Sequence, residues 1–363
     1  MQEIGTLTKS LIQIPSVHSE PEEIVRCSEF IEDWLNGYGI RYQRLNHEGI
    51  PSILVMPDSG KVPVLLMSHF DVVEGNEDLF LPYIEDGKLY GRGALDDKYA
   101  VALSLVLLKN HVIRNRSRRR DQDDLPFGIL LTGDEEMGGE NGANRALSSI
   151  ESDFCVVLDG GNSEEIVTKE KGILQVKLVS KGKASHGARP WLGENAIEKL
   201  MKDYQIIKTF FNNTEPDNWH RTLNISRINA GNSYNKVPDY AEAVLDIRYT
   251  ENDNIDHLLA EIGQAIKSKL VLIRKEPLFV AKPSPYLDLL IKTNPGLKTV
   301  SEHGSSDARF LSKHGMNGIV WGADGDLSHH SVEEHVNLDS VLSLYQRIDR
   351  FVSGCWEMKK PAA

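Results

Sequence analysis

Apolar positions along the chain fall into two textures. Residues 20–35 (EPEEIVRCSEFIEDWL) put Ile24, Cys27, Ile31 and the pair Trp34/Leu35 on one face at helical spacing, with Ser19 and Pro21 near the start. The runs VPVLLM (62–67), FGILLT (127–132) and FCVVL (154–158) are short, apolar and rich in Val, Ile or Leu, which predicts buried strands. Between the first two lies KYAVALSLVLLKN (98–110), apolar nearly all the way round, hence a buried helix. Strands alternating with helices predict an α/β layer with parallel strands. From about residue 172 the texture changes. ILQVKLVSKG alternates like a strand, 194–211 reads as a helix, 222–228 and 241–249 as strands, 254–270 as a helix and 271–275 as a strand. That β-α-β-β-α-β order is the ferredoxin-like pattern. The expected fold class is therefore α/β: a larger domain with a mostly parallel or mixed sheet over 1–171 and 282–363, interrupted by a smaller α+β domain over 172–281.

Composition narrows the class of protein. A chain of 363 residues suggests two domains at ~150 residues each. Hydrophobic residues at 40% and charged residues at 26% describe an ordinary globular protein, and no apolar run approaches the ~20 residues of a membrane helix. The start MQEIGTLTKS lacks the basic and apolar regions of a signal peptide. Lys and Arg number 41 against 53 Asp and Glu, a formal charge of −12, which excludes nucleic acid held by counterion release. Cys27, Cys155 and Cys355 are odd in number and far apart, giving neither a disulfide framework nor a Cys-x-x-Cys metal pair. A reduced, cytoplasmic protein is expected. The run RNRSRRRDQDD (114–124), with Arg114, Arg116, Arg118, Arg119 and Arg120, reads as a solvated loop rather than a site for an acidic partner.

The chemistry gathers after the predicted strands. The run 62–67 leads into SHFDVV, with His69 and Asp71; 127–132 leads into GDEEMGG, with Asp134, Glu135 and Glu136; 154–158 leads into Asp159. Ligand sites of open α/β sheets lie outside the carboxyl ends of the strands, so three such ends bearing carboxylate or imidazole form one expected site. Adjacent carboxylates such as Glu135 and Glu136 need a cation once buried. LYGRGALDDK (89–98) adds Asp96 and Asp97 at the amino end of the buried helix, and DLSHHSVEEHV (326–336) adds His329 and His330. Imidazole and carboxylate without cysteine suit zinc or cobalt. One bridging carboxylate would let five protein ligands hold two metals.

Taken together, SHFDVV, YGRGALDDK, TGDEEMGG, the Asp159 strand end, GKASHGARPWLGENAI, NKVPDYAEAVLDIR, GSSDARF and HHSVEEHV resemble, in order, the zinc-dependent amidohydrolase family of acetylornithine deacetylase, succinyl-diaminopimelate desuccinylase, glutamate carboxypeptidase, tripeptidase and aminoacylase. The resemblance implies that His69 and Asp159 hold one zinc, Glu136 and His330 the other, and that Asp96 bridges both. Glu135 would be the general base and Asp71 the carboxylate fixing the tautomer of His69. The inserted domain would be a lid and dimerisation domain whose His186 reaches a neighbouring subunit's site. Asn235 and Arg248 match lid positions that contact substrate, and Arg309 is a further carboxylate-binding candidate. The tandem pair His329-His330 leaves a one-residue ambiguity, which the resemblance resolves toward His330, because many members of the family space this His four residues before a Glu, here Glu334. The bond between Asp96 and Asp97 is expected to be cis. Glu74, Tyr99, His303 and Ser305 depart from the family pattern, at Pro, Gly, Gly and Thr respectively, and none is a ligand.

The function implied is hydrolysis of an amide bond in a small anionic peptide or N-acyl amino acid, by a metallopeptidase or N-acyl-amino-acid amidohydrolase of deacylase, desuccinylase or di/tripeptidase type. Two Zn²⁺ per subunit, or Co²⁺ or Mn²⁺ in their place, would activate a shared, metal-bridged hydroxide, with Glu135 taking and returning the proton and His186 stabilising the oxyanion. A homodimer formed through the inserted domain is expected, with neither nucleic acid nor membrane as partner. The alternatives are a carbamoyl-type amidohydrolase and a catalytically inactive binding relative.

Overall fold

The computed structural model describes residues 2–358 apart from Thr214, Pro216 and Asp217. The chain divides into two compact units. One runs to Lys169 and resumes with Ala281–Val300 and from Ser306 on; the other comprises Glu170–Val280 with Ser301–Ser305.

The first unit is built on a mixed sheet with a parallel centre. Lys61–His69 lies between Phe127–Thr132 and Glu151–Val157 and runs parallel to both, and Gly318–Val320 extends the parallel block beyond Glu151–Val157. The antiparallel hairpin Gln43–His47 and Ile50–Val55 closes one side, and Val320 pairs antiparallel with Val167 on the other. Consecutive parallel strands thus sit on opposite sides of Lys61–His69. That reversal of strand order opens a crevice at the carboxyl ends of these strands. Strands buried on both faces must be apolar throughout, as FGILLT and the body of KVPVLLMSH are. The buried helix spans Lys98–Ser117, and its first twelve residues are all buried, because the sheet, the helix Gln2–Ile12 and the helix Leu338–Met358 surround it.

The helix takes in part of the arginine run that sequence reasoning assigned to a free loop. Arg116 donates to the carbonyl oxygens of Tyr38 and Gly39 at 2.8 and 2.7 Å, and Arg120 lies over the Trp356 ring. The Asp-rich end is tied down as well, through Asp123 on Arg41 at 2.9 Å. All five arginines are exposed, as expected, and Arg116 and Arg120 in addition hold neighbouring segments.

The second unit is a four-stranded antiparallel sheet in the order Thr222–Ala230, Tyr240–Tyr249, Gly172–Lys181, Lys269–Glu276. Its helices Ala196–Lys208 and Ile255–Ala265 cover a core of Leu174, Val176, Leu178, Leu200, Leu245, Ile247, Leu258 and Ile262. The element order and the strand order are those of the ferredoxin-like pattern.

Tyr99, where the family pattern has Gly, is a buried fastener. Its hydroxyl donates to the Leu158 carbonyl oxygen at 3.0 Å and accepts from the Ala323 amide at 2.8 Å, joining the helix to two chain segments just beyond parallel strands. Tyr99→Phe leaves that amide buried without a partner and is expected to cost about 1–3 kcal/mol. Urea unfolding checks this; an unchanged midpoint would contradict it.

Candidate metal centre

Strand geometry aims three segments at one point. His69 ends the strand Lys61–His69, Glu135 and Glu136 open a short 3-10 turn two residues beyond Phe127–Thr132, and Asp159 follows Glu151–Val157. His69 is buried, and its Nδ1 lies 3.0 Å from the Asp71 carbonyl oxygen and 3.4 Å from the Asp71 carboxylate. A carbonyl only accepts, so Nδ1 carries a proton, and Nε2 is the ring nitrogen turned to the site. Nε2 lies 2.8 Å from Asp96 Oδ1. His330 Nε2 lies 3.0 Å from Asp96 Oδ2 and 3.1 Å from Glu136 Oε1.

Two triads result, His69/Asp96/Asp159 and Asp96/Glu136/His330, each with ligand atoms within 4.8 Å of one another. They share Asp96, whose two oxygens face different histidines. The Asp96–Asp97 peptide bond is cis, as expected. Two nitrogens and three carboxylates make a donor set for borderline divalent cations. The electrostatics point the same way. Pairing with Asp96 and Glu136 lifts the His330 imidazole to about 10, while burial alone would lower it. Burial raises Asp96, yet hydrogen bonds from His330 and His69 outweigh it and hold the carboxyl well below its usual range. Protons on two imidazoles thus occupy the place that cations suit better, and the residues fit two divalent metals.

The backbone carrying Asp96 is clamped from below. Glu334 Oε1 accepts from the amides of Gly93, Leu95 and Asp96 at 2.9, 3.2 and 3.2 Å. Its other oxygen pairs with Arg92, whose guanidinium also donates to the His330 carbonyl oxygen at 3.3 Å. One buried ion pair therefore ties the carboxylate shared by the two triads to the His330 segment. Gly93 makes this turn possible: its φ is +84°, and a Cβ would lie 2.9 Å from both Lys98 Cδ and Val72 Cγ1.

Glu135 faces Arg309 at 3.3 Å, and Arg309 in turn lies 3.4 Å from Asp307. Burial pushes the Glu135 carboxyl up to about 7, against the pull of the His69 and Arg309 cations. Asp71 is the hub beneath. It accepts from the Glu135 and Glu136 amides at 3.2 and 3.0 Å and from His18 Nε2 at 3.0 Å. Burial opposes its ionisation, but the hydrogen bonds from His18 and His69 prevail and hold it down at about 2.

The structure thus gathers His69, Asp71, Asp96, Glu135, Glu136, Asp159, His330 and Arg309. Arg309 is buried against two carboxylates of the protein itself. His329 is exposed beside His330 and belongs to neither triad. In the second unit, Ser185–His186 pairs with Lys236–Val237, and the Gly187 amide donates to the Asn235 carbonyl oxygen at 2.7 Å, so the segments carrying His186 and Asn235 run side by side. Arg248 lies within the strand Tyr240–Tyr249, its Nε donating to Asp246 at 2.8 Å. Sequence reasoning missed His18, Arg92 and Asp307. Arg92 stands four residues before Asp96, a usable signal; His18 is 53 residues from Asp71 and gave none.

With this geometry in hand, comparison with known proteins is decisive. The family model described as "Peptidase family M20/M25/M40" matches residues 65–353. The chain belongs to that family. It is 26% identical to an uncharacterized metallohydrolase of Methanocaldococcus jannaschii over 95% of this chain and 97% of that protein. It is 27% identical to the succinyl-diaminopimelate desuccinylase of Beijerinckia indica over 93% of this chain and 95% of that one. The solved structure of an M20 family metallo-carboxypeptidase from Sulfolobus solfataricus superposes with a TM-score of 0.79 at 18% identity, over 98% of this chain and 100% of that one. This M20 chain is therefore a hydrolytic enzyme of a metallohydrolase family that acts on peptides or acyl amino acids.

Replacing His330 by Ala removes a donor from one triad, so metal content measured by mass spectrometry on the purified protein should fall. His329→Ala should leave it at the parental level. The reverse pattern would shift the register of HHSVEEHV by one.

Proposed function

We propose that this M20 protein cleaves an amide bond in a small, carboxylate-bearing peptide or N-acyl amino acid, using two zinc ions and Glu135 as general base. The observation that carries this reading is the pair of triads sharing Asp96 with Glu135 beside them. His69, Asp159 and Asp96 would hold one ion, and Asp96, Glu136 and His330 the second. Metal ions held by these residues would supply Lewis acidity toward a carbonyl oxygen and lower the pKa of water toward neutral. Cobalt or manganese are the substitutes this donor set accepts.

The chain's own groups do the rest. Glu135 takes a proton from water on its carboxylate and later returns it to the departing amine. Arg309 fixes the direction of that carboxylate, and Asp71 fixes the imidazole of His69. Three ligand carboxylates against two dications leave one formal positive charge, which draws an anionic substrate to an otherwise acidic protein. Arg248 and Asn235 are the expected substrate contacts from the lid. The three cysteines are buried and free, in keeping with a cytoplasmic setting.

The same reading makes the second unit a dimerisation domain that delivers His186 to the partner's site. In support, the edge strand Lys269–Glu276 exposes Val271, Leu272 and Ile273 in succession, and an apolar sheet edge invites pairing with a second copy. No helix of the described residues is long and apolar enough to cross a membrane.

A panel of N-acetyl, N-succinyl and N-carbamoyl amino acids with di- and tripeptides tests the activity. Glu135→Ala should lower kcat by about 10²–10⁴-fold on whichever substrate is turned over, with metal content unchanged. Near-parental turnover in that variant would refute the role of Glu135. Mixing Glu135→Ala with His186→Ala subunits, each inactive alone, should restore activity, because one site in each heterodimer keeps both residues. No recovery despite subunit exchange would mean that His186 does not cross to the partner.

A further inference from the structure

The amino-terminal segment lies outside the stretch that the family model matches, yet it is tied to the centre from two sides. Lys98, two residues past Asp96 and fully buried, donates to the carbonyl oxygens of Leu11 and Ile14 at 3.0 and 2.6 Å. Ser16 Oγ donates to the Phe70 carbonyl oxygen at 2.5 Å, and the Val72 amide donates to the Ser16 carbonyl oxygen at 3.0 Å. The segment therefore runs alongside Phe70–Val72, and His18 arrives with its Nε2 3.0 Å from the Asp71 carboxylate. Asp71 is fully buried, and the other groups it contacts all belong to the centre: the His69 imidazole and the amides of Glu135 and Glu136. Among the described residues His18 is the one contact reaching this carboxylate from outside the centre, and its side chain is only 20% exposed.

We propose that His18 is a positioning residue that acts through Asp71, fixing the carboxylate plane that orients His69 and the Glu135–Glu136 turn. A buried carboxylate with a donor removed rotates toward its remaining partners, and every group it holds follows. The groups that follow here are a ligand imidazole and the backbone of the base and of a second ligand. The inference rests on the two-metal reading above and adds to it a residue that no motif contains.

The test is metal affinity, which does not need the substrate. Zn²⁺ affinity is measured by competition with a chromophoric chelator, and His69 ligation is followed in the visible spectrum of the Co²⁺-loaded protein. His18→Ala is expected to weaken Zn²⁺ binding about tenfold, in the range found for groups that orient metal ligands. His18→Gln, whose amide can still donate to Asp71, should recover most of the loss. In an Asp71→Asn background, His18→Ala should add nothing further. If His18→Ala does not give folded protein, His18→Asn replaces it, since its shorter amide stops short of Asp71. Parental affinity and spectrum in His18→Ala overturn the proposal, as does an equal loss in the parent and in Asp71→Asn. A parent that binds no metal overturns the two-metal reading and this inference together; a parent that binds metal while the variants behave alike overturns the inference alone.

Discussion

One shared carboxylate governs the arrangement of this protein. Asp96 turns its two oxygens to two histidines that come from opposite ends of the chain, and Glu136 and Asp159 crowd the same space. Negative groups so close and so little exposed to water repel one another and lose hydration, so the site exists only if positive charge fills it. Protons on His69 and His330 fill it partly; the two divalent cations proposed here would fill it more fully.

The rest of the first unit reads as support for that constraint. The parallel strands bring His69, Glu136 and Asp159 to one edge, but strand ends alone leave side chains free to turn away. Hydrogen bonds from beneath remove that freedom. Glu334 gathers three amides of the Asp96 turn, and Arg92 links Glu334 to the His330 segment. Asp71 performs the same service for His69 and for the Glu135–Glu136 turn. The residues of the two triads are thus braced by two buried anions, neither of which is itself part of a triad. Each is satisfied by backbone amides and basic side chains, Arg92 on Glu334 and the His18 and His69 imidazoles on Asp71, the arrangement that makes a buried charge tolerable.

Much of this was legible in the sequence, for identifiable reasons. Apolar runs of strand length ending in His69, Glu136 and Asp159 locate a site because parallel sheets put ligands at carboxyl ends. The alternating strands and amphipathic helices between 172 and 276 gave the ferredoxin-like order because each periodicity has a distinct spacing. The arginines of 114–120 are exposed, as the composition implied, but composition does not reveal that carbonyl oxygens and an indole ring lie in reach of Arg116 and Arg120. His18 was invisible because its partner is remote in sequence and only the path of the chain from Leu11 to Val72 joins them. Arg309 was legible as a carboxylate-binding candidate, but a motif records residue type and not that Glu135 and Asp307 lie beside it.

Anomalous diffraction from crystals grown with zinc bears most directly on the shared carboxylate. Two peaks per chain are predicted, one bounded by His69 and Asp159, the other by Glu136 and His330, with Asp96 in contact with both. A single peak, or two peaks of which Asp96 touches only one, would contradict the account.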